Sequence, residues 1–428
     1  MGLDAESGVQ DGLRLLIVSA DFPFPPRWGF AMRVYQLARK LASRHRVTLL
    51  SYALPSDDVN VVRLREELPV EVVRRGQTSR AGKRTRQIMS MAAGNPAVHH
   101  AVVSSKMQEA IDALCGAHAY DFVQLESSLL CAFRFPPGTR LILDEHNIEY
   151  EVFQRMREGE RSLARRSFYR LEHARFRRFE QRWWRQVAGC AVTSEREARI
   201  VNEHAPGTPV AVVPNGVDLE YFHPSPDRPE LNTVVFNALL QYRPNLDAAY
   251  HLVDVVWPLV VRQFRDARLT IVGRGDADDL RRLERRNVVV TGEVPDVRPY
   301  LERAAVVAVP IRMGGGTRLK VLEGLAMGKA MVSTTLGCEG IRVRDGEHLL
   351  IADSAEDFAS SLGRLLADPE SGRALGLAGR RLMEAEYSWD ASAERLDGLY
   401  RQLLPQAVPD GERRPLVTQP VALGAGDV

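Results

Sequence analysis

Short apolar runs alternate with amphipathic segments along most of the chain. The first run, residues 13–20, predicts a buried central strand, and residues 31–44 predict an amphipathic helix. Strands separated by helices in this way are typical of a doubly wound parallel sheet. The other apolar runs of this region predict strands at residues 47–53, 70–74, 122–126, 141–144, 190–194 and 210–213.

The same alternation starts again at Thr233, after a Pro-rich polar segment at residues 222–229 that reads as a linker. The chain is therefore predicted to be an α/β protein with two Rossmann-like sheets in tandem. The predicted strands of the second region are residues 234–240, 269–272, 288–291, 306–311, 330–333 and 349–351, and its helices are 248–262, 297–304, 354–367, 371–386 and 391–403.

These patterns set the expected domain boundaries. Residues 1–12 and 405–428 have no core pattern and are expected to be disordered. We expect one domain over residues 13–222, a second over 223–386, and a separate closing helix over 387–404.

The composition narrows the function classes. With 45% hydrophobic residues and a net charge of +2, the 428-residue chain has the composition of a soluble globular protein, and its charge argues against a nucleic-acid partner. No apolar run approaches the roughly 20 residues that span a bilayer, and the polar N-terminus does not resemble a signal peptide. We expect a cytoplasmic protein whose membrane contact, if any, is peripheral on the inner face. The cysteines show no metal-ligand or redox spacing: Cys115, Cys131, Cys190 and Cys338.

Two segments are rich in basic residues. One covers residues 74–91. The other, residues 155–186, is predicted to be a long helical region and has eleven arginines against four glutamates. Such segments bind anionic lipid in some proteins. In others the aromatic residues pack inward while the arginines stay in solvent, and we favour that interpretation for residues 155–186.

A glycine-rich segment follows the apolar run at 306–311. A strand, a glycine turn and a helix N-terminus together form an anion site, because backbone N–H groups and the helix dipole point at the ligand. Glu323, further along this helix, suits the hydroxyls of a nucleotide ribose. The alternative is an ordinary turn with Lys320 and Glu323 as a surface pair. The candidate residues are Gly314, Gly315, Gly316, Thr317 (as the helix cap), Arg318, Leu319, Lys320 and Glu323.

Polar residues also mark strand ends in the first region. Gly29 closes a proline-rich loop after the first strand, and a polar cluster follows the strand at 141–144. Because ligands bind at the carboxyl ends of parallel strands, both loops are expected to face a crevice. The alternative for the cluster is a polar turn that caps the next helix. Its members are Asp144, Glu145, His146 and Asn147.

Three motifs give the chain a family resemblance. They are PNGVD at 214–218 followed by FHP at 222–224, GGGTRLKVLEGLAMGK at 314–329, and YSW at 387–389. In these motifs the chain resembles the retaining GT-B glycosyltransferases of family four, in a GGGTRLK variant similar to exopolysaccharide-type sugar transferases. The resemblance covers residues 13–403. It implies two Rossmann-like domains that face each other across a cleft, with the acceptor domain first, the donor domain second and the last helix crossing back.

The resemblance also implies roles for single residues. Glu323 matches the second glutamate of the family's E-x7-E motif, which binds the donor ribose, whereas the first glutamate falls at Gly315. Its role would pass to backbone N–H groups of residues 314–317 or to another residue. Arg243 and either Lys320 or Arg318 would hold the diphosphate, with Gly29 beneath it. His146 would lie near the reacting sugar, beside the acceptor-side residues Asp144, Glu145 and Asn147.

The implied reaction moves a hexosyl group from a nucleotide-diphosphate sugar to an acceptor hydroxyl with retention of configuration. We expect a UDP-sugar rather than a GDP-sugar, and an acceptor that is a sugar, a lipid-linked molecule or a small molecule. No metal or other cofactor is expected, and we discount the DxD-like sequence at 276–278. Two alternatives stay open: a nucleotide-sugar epimerase of the same fold, and a non-catalytic nucleotide-sugar binder.

Overall fold

The computed structural model describes residues 12–26, 28–75, 96–97, 99–158, 160, 162–314, 316 and 318–404. The chain ends that we expect to be disordered lie outside these residues, apart from Gly12, and so does most of the basic segment at 74–91. None of the helices in the described part of the chain has the length and apolar character needed to cross a bilayer.

The first half of the chain forms a seven-stranded parallel sheet in the order β3-β2-β1-β4-β5-β6-β7. Strand β1 is central, as predicted, and Leu15 to Val18 are almost completely buried because helices cover both faces. The strands are β1 (Arg14–Ser19), β2 (Arg46–Ala53), β3 (Val70–Arg74), β4 (Phe122–Leu125), β5 (Leu141–Glu145), β6 (Gly189–Val192) and β7 (Val210–Val212).

The second half forms a six-stranded parallel sheet in the order β10-β9-β8-β11-β12-β13. The prediction of two doubly wound α/β sheets is therefore confirmed. The strands are β8 (Thr233–Asn237), β9 (Arg268–Val272), β10 (Val288–Val290), β11 (Val306–Val309), β12 (Ala330–Ser333) and β13 (Leu350–Ile351).

Helices connect the strands on both faces of each sheet. Those of the first half are α1 (Gly29–Ala42), α2 (Asp58–Arg65), α3 (His99–Val102), α4 (Ser105–Ala117), α5 (Glu149–Glu158), α6 (Leu163–Trp184) and α7 (Glu195–His204). Those of the second half are α8 (Arg243–His251), which a π-helical turn joins to α9 (Trp257–Gln263), then α10 (Ala277–Leu283), α11 (Arg298–Arg303), α12 (Leu319–Ala326), α13 (Ala355–Ala367), α14 (Pro369–Glu386) and α15 (Trp389–Leu403).

The basic region at 155–186 is not a single helix. It contains the end of α5 and all of α6, and these two helices pack against each other. Phe153 of α5 stacks on the fully buried Phe176 of α6, with ring centroids 5.0 Å apart. These aromatic side chains therefore pack inward, which is the alternative that we favour from the sequence.

Helix α15 returns the chain to the first sheet. Ser388 caps it by accepting a hydrogen bond from the backbone N–H of Ala391 at 3.1 Å. Along the helix, Asp390 accepts from Lys40 of α1 at 2.8 Å and Asp397 pairs with His45 at 3.0 Å. A Cβ on Gly216 would lie 2.8 Å from Trp389, so only glycine allows this close approach.

Each sheet has one point where the strand order reverses. In the first sheet the reversal lies between β1 and β4, and in the second between β8 and β11. The loops on the two sides of such a reversal run in opposite directions, which leaves a crevice at the carboxyl ends of the strands. The two crevices of this protein open toward each other.

Candidate functional site

A cavity of about 680 Å³ lies between the two halves of the molecule. Loops after β1, β4 and β5 form one wall, and the glycine loop after β11 contributes Gly316 to the other. Its lining residues are Gly29, Phe30, Glu126, Ser127, Glu145, His146, Asn147, Glu149, Asn215 and Gly316.

Two glycines bring the walls of this cavity together. A Cβ on Gly29, the first residue of α1, would lie 3.9 Å from Leu319 at the start of α12. A Cβ on Gly316 would lie only 2.6 Å from Asn147 Oδ1 on the opposite wall. The predicted residues Gly29, Leu319, Gly316 and Asn147 therefore meet in one place although they come from both halves of the chain.

The glycine loop reaches α12 through left-handed backbone conformations. Gly314 has a φ of 96° and Gly316 a φ of 80°, which favour glycine. Gly315 and Thr317 lie outside the described residues. The helix starts at Leu319 with Arg318 in the N-cap position and no side-chain cap from it, so the prediction of Thr317 as the cap is wrong by one residue.

Lys320 points its ammonium group at helix α8. Its Nζ donates to Asn245 Oδ1 at 3.0 Å and lies 4.7 Å from the centre of the Phe236 ring. Burial, together with the nearby charge of Arg318, lowers the pKa of Lys320 to about 7. A bound phosphate would favour the charged form, so this lysine suits the anion role that the sequence assigns to it.

Glu323 lies one turn further along α12. Asn237 at the end of β8 donates to Glu323 Oε2 at 3.4 Å, and burial raises the pKa of Glu323. Asn237 Oδ1 is buried without a hydrogen-bond partner among the described residues. The end of β8 and the first turns of α12 thus place two hydrogen-bonding side chains at the reversal point of the second sheet.

The two candidate arginines differ in exposure. Arg243 is the first residue of α8 and is exposed, so the structure leaves it at the rim. Arg318 is buried, and desolvation lowers its pKa. The residue of α8 that contacts Lys320 is Asn245, which sequence reasoning missed.

His146 lies on the wall formed by the first half. Its Nε2 is 2.9 Å from Glu126 Oε2, and its ring packs 4.8 Å from the ring of Phe30. Glu126 was not among the predicted site residues. The available signal was that a carboxylate follows the apolar run of β4, next to the point where the strand order reverses.

Asp144 does not reach the cavity, contrary to its predicted place on the acceptor side. It is fully buried, and both of its oxygens accept from the Arg33 guanidinium, at 2.9 and 2.6 Å. Arg33 also donates to the carbonyl of Val213 and to Asn215 at 2.7 and 3.2 Å. Asp144 thus anchors the PNGVD turn through Arg33, because a buried charge needs a partner.

Glu145 lines the cavity and belongs to a group of buried carboxyl groups. Trp184 Nε1 donates to it at 2.8 Å. Burial raises its pKa to about 8 and that of Glu149 to about 7, and nearby acidic groups add to the shift of Glu145. Glu180 accepts from the backbone N–H groups of Glu149 and Tyr150 at 2.9 and 3.1 Å, so it caps α5.

Arg155 of α5 joins the two walls directly. Its guanidinium donates to the carbonyl of Gly314 at 2.7 Å and to Glu339 at 3.3 Å. The carbonyl belongs to the glycine loop, so a side chain of the first half holds a loop of the second. No local sequence pattern points to this contact, since the two residues are 159 positions apart.

Glu126, Asp144 and His146 each offer a ligand atom within 4.8 Å of the others, which raises the question of a metal. However, Arg33 occupies both oxygens of Asp144, while Gln124 and His146 bind the two oxygens of Glu126. A cation would have to break these hydrogen bonds beside a guanidinium. The three residues therefore fit a hydrogen-bond network better than a metal site.

Each half of the chain matches a protein-family model. Residues 29–221 match the family described as "Glycosyltransferase Family 4", and residues 232–368 match "Glycosyl transferases group 1". Together with the fold, these matches support a GT-B glycosyltransferase.

Two curated relatives are similar over about half of this chain. One, a GDP-mannose-dependent monoacylated alpha-(1-6)-phosphatidylinositol monomannoside mannosyltransferase of Corynebacterium glutamicum, is 31% identical over 212 residues, or 44% of this chain and 55% of the relative. Another, a phosphatidyl-myo-inositol mannosyltransferase of Mycobacterium tuberculosis, is 30% identical over 233 residues, or 50% of this chain and 60% of the relative. The chain thus spans little more than half the length of these relatives.

Solved structures match over almost the whole chain. Sucrose-phosphate synthase from Thermosynechococcus elongatus superimposes with a TM-score of 0.68 at 19% identity, covering 91% of this chain and 99% of its own. Anabaena HepE in complex with UDP gives a TM-score of 0.64 at 12% identity, covering 91% and 100%. At such low identity these matches establish the GT-B fold.

Proposed function

We propose that this protein is a retaining glycosyltransferase that moves a hexosyl group from a nucleotide-diphosphate sugar to an acceptor hydroxyl. The observation that carries the proposal is the cavity where the reversal points of the two sheets face each other. The glycine loop that lines the cavity with Gly316 leads into the α12 N-terminus with Lys320 and Glu323, which suit a diphosphate and a ribose. The wall of the first half offers His146, which suits a sugar hydroxyl.

The reaction requires stabilisation of the leaving diphosphate and of a positively charged sugar. Lys320, Arg243 and the N–H groups at the start of α12 would supply positive charge to the diphosphate. In the front-side attack proposed for similar enzymes, the bond between the anomeric carbon and the diphosphate breaks and the nucleoside diphosphate leaves. The acceptor oxygen bonds to the same face of that carbon and gives its proton to a phosphate oxygen of the leaving diphosphate. His146 then orients a hydroxyl and does not act as the nucleophile.

The donor base is the point at which the relatives disagree with our expectation. We expect a UDP-sugar from the sequence, whereas the names of several relatives specify GDP-mannose. They do not support the UDP preference. GDP-mannose is therefore the first donor to test, with UDP-glucose and UDP-N-acetylglucosamine beside it.

A lipid-linked acceptor fits the names of the relatives, which act on phosphatidylinositol derivatives. Helix α6 carries exposed arginines that would face an anionic bilayer, among them Arg165, Arg166 and Arg178. Under this proposal the protein co-sediments with vesicles that contain anionic lipid and not with neutral vesicles. Equal recovery with both would count against membrane contact.

Incubation with each donor, with EDTA present, tests the function. Slow release of free GDP or UDP that speeds up when phosphatidylinositol or a sugar acceptor is added supports transfer without a metal. Epimerised nucleotide sugar would support the epimerase alternative. Binding without turnover of any donor, with and without acceptors, would support the non-catalytic binder. An NMR spectrum of the product at early times gives the configuration at the transferred carbon.

A further inference from the structure

A buried chain of hydrogen bonds runs from helix α15 to the wall of the cavity. The Tyr400 hydroxyl donates to Gln124 Oε1. Gln124 Nε2 donates to Glu126 Oε1 at 2.6 Å, and Glu126 Oε2 lies 2.9 Å from His146 Nε2. Tyr400, Gln124 and Glu126 are each at most 1% exposed, so water does not interrupt the chain.

The Glu126 carboxylate fixes the direction of the hydrogen bonds in this chain. A carboxylate only accepts hydrogen bonds, so both Gln124 Nε2 and His146 Nε2 donate to Glu126. If the Gln124 amide were turned over, its oxygen would face the Glu126 carboxylate. The amide oxygen therefore faces helix α15, where it accepts from the Tyr400 hydroxyl.

The fixed direction determines the form of the His146 ring. A neutral imidazole that carries its proton on Nε2 has a lone pair on Nδ1. Within the described residues the ring of His146 forms its hydrogen bond through Nε2, and His146 lines the cavity. Packing against Phe30, 4.8 Å away, restricts rotation of the ring.

We propose that Tyr400, Gln124 and Glu126 are positioning residues that hold His146 in the Nε2–H tautomer, so that Nδ1 accepts a hydrogen bond from a sugar hydroxyl in the cavity. The assignment of the sugar rests on the proposed function, whereas the tautomer does not. Buried polar side chains add little stability compared with apolar ones of similar size. The presence of Gln124 and Glu126 between α15 and the cavity therefore points to a role beyond packing. These hydrogen bonds thereby connect helix α15, near the C-terminus, to His146 at the cavity wall.

Nitrogen-15 NMR of the full-length protein labelled at histidine tests the tautomer directly. The His146→Gln variant assigns the signal, and we expect the wild type to show a protonated Nε2 and an unprotonated Nδ1 at neutral ring charge. In Glu126→Gln, the amide at position 126 can present its NH2 to His146 as well as its oxygen, so the carboxylate no longer imposes a proton on Nε2. The Nδ1–H tautomer should therefore appear beside the Nε2–H tautomer. A wild-type ring protonated on Nδ1, or a tautomer unchanged in Glu126→Gln, would overturn the proposal.

A single variant tests whether Tyr400 holds the rest of the chain in place. In Tyr400→Phe the Gln124 amide loses its hydrogen-bond partner on α15, so Glu126 is held less tightly. We expect the His146 Nε2 signal to shift or broaden while the ring stays protonated on Nε2. A His146 signal identical to that of the wild type would remove Tyr400 from the chain.

Turnover separates the two proposals. Tyr400→Phe should lower kcat about fivefold with little change in the donor KM, and Glu126→Gln should lower it by roughly tenfold. Tyr52→Phe is the matched control, because Tyr52 is also a buried tyrosine, its hydroxyl bonded to the Val102 carbonyl, away from the chain. Equal loss in both tyrosine variants would contradict positioning by Tyr400. If no donor is turned over, the proposed function fails while the NMR result still decides the tautomer.

Discussion

Lys320 holds a positive charge in a partly buried place. Its ammonium group lies over the Phe236 ring, and Asn245 is the hydrogen-bond acceptor. Burial is the main reason why its pKa falls to about 7, and the Arg318 charge adds to the effect. The protonation of this lysine is therefore sensitive to pH near neutrality, and to an anion that binds beside it.

This sensitivity predicts the pH dependence of donor use. Lys320 is charged below its pKa of about 7 and neutral above it, so kcat/KM for the donor should fall as pH rises from about 6.5 to 8.5. The kcat should fall less, because the bound diphosphate raises the pKa again. Lys320→Met should lower kcat/KM by about 100-fold and remove this limb of the profile.

Lys329→Met is the control for that measurement. Lys329 is also buried, with a pKa lowered to about 8, but it follows the opposite end of α12 and donates to the Glu302 carbonyl at 2.9 Å. Its loss should leave the alkaline limb in place. A limb that persists in Lys320→Met would assign it to another group.

Gly316 tests the close approach between the walls. In Gly316→Ala the methyl group would lie 2.6 Å from Asn147 Oδ1, and the φ of 80° adds strain of about 1 kcal/mol. We expect the donor KM to rise about tenfold, because the loop must shift. Isothermal titration with the nucleotide diphosphate measures the same loss without turnover.

Gly346→Ala is the control that separates the effect of backbone strain from an effect on the binding site. Gly346 has a φ of 71° in the same half of the chain, and a Cβ there would meet no atom within 4 Å. The melting temperature should fall by a similar amount in both variants, but only Gly316→Ala should bind the nucleotide diphosphate more weakly. Equal affinity loss in the two would show that the effect is general.

Some residues of the candidate site can be predicted one by one from the sequence. Gly29, His146, Lys320 and Glu323 could be named because each lies beside a strand end or in a glycine turn, and such signals are local. Arg33 could not be named, since its partner Asp144 is 111 residues away. The same distance problem hid Asn245 and Arg155, whose partners are 75 and 159 residues away.

At the scale of elements, helices α5 and α6 enclose a set of carboxyls that face one another. Glu145 at the end of β5 lies near Glu149, Asp144 and Glu197, and all of them raise its pKa. The largest contribution is burial, while the hydrogen bond from Trp184 opposes it. Glu180 of α6 is buried in the same group and its pKa is raised as well.

Glu145 therefore predicts how stability depends on pH. Its pKa in the folded protein, about 8, is above the ordinary value of 4.5, so its contribution is fully present below about 4.5 and is lost as pH rises through about 8. Glu145→Gln keeps an acceptor for Trp184 and removes this loss. Its melting temperature should exceed that of the wild type by about 4 °C or more at pH 9 and not at pH 5.

Scanning calorimetry at both pH values measures the difference. Glu195→Gln is a suitable control because Glu195 is an exposed acid at the start of α7. It should behave like the wild type at both pH values. A Glu145→Gln protein that is less stable at pH 9 would show that the carboxylate is stabilised where it lies.

Among the elements, long apolar runs were the most predictable. Strands β1, β5 and β11 carry continuous apolar sequence because helices cover both faces of a parallel sheet. The break between α5 and α6 was not predicted, because arginines and aromatics continue through it. Only the packing of Phe153 on Phe176 reveals a hairpin.

At the scale of the molecule, Arg155 links the halves at the mouth of the site. It binds the carbonyl of Gly314 and, with Arg196, lies near Glu339. Charge-assisted hydrogen bonds of this kind contribute on the order of 1–3 kcal/mol, less where solvent reaches them. The contact favours the closed arrangement of the two walls.

Arg155→Met should therefore open the molecule. We expect a larger radius of gyration in small-angle scattering without nucleotide and a donor KM raised about fivefold, with kcat changed less. Arg157→Met, on the same helix but with no hydrogen bond to the second half among the described residues, should match the wild type. A compact Arg155→Met protein with normal KM would rule out this role.

The sequence by itself determined the two doubly wound sheets, the glycine loop and the resemblance that named its residues, because these depend on local periodicity and on short motifs. Only the tertiary structure decided what those residues touch. It buried Asp144 against Arg33, set Gly316 against Asn147, and connected Tyr400 to His146 through Gln124 and Glu126. The physical reason is that hydrogen bonds and ion pairs act over a few ångströms, so their partners depend on how distant elements pack.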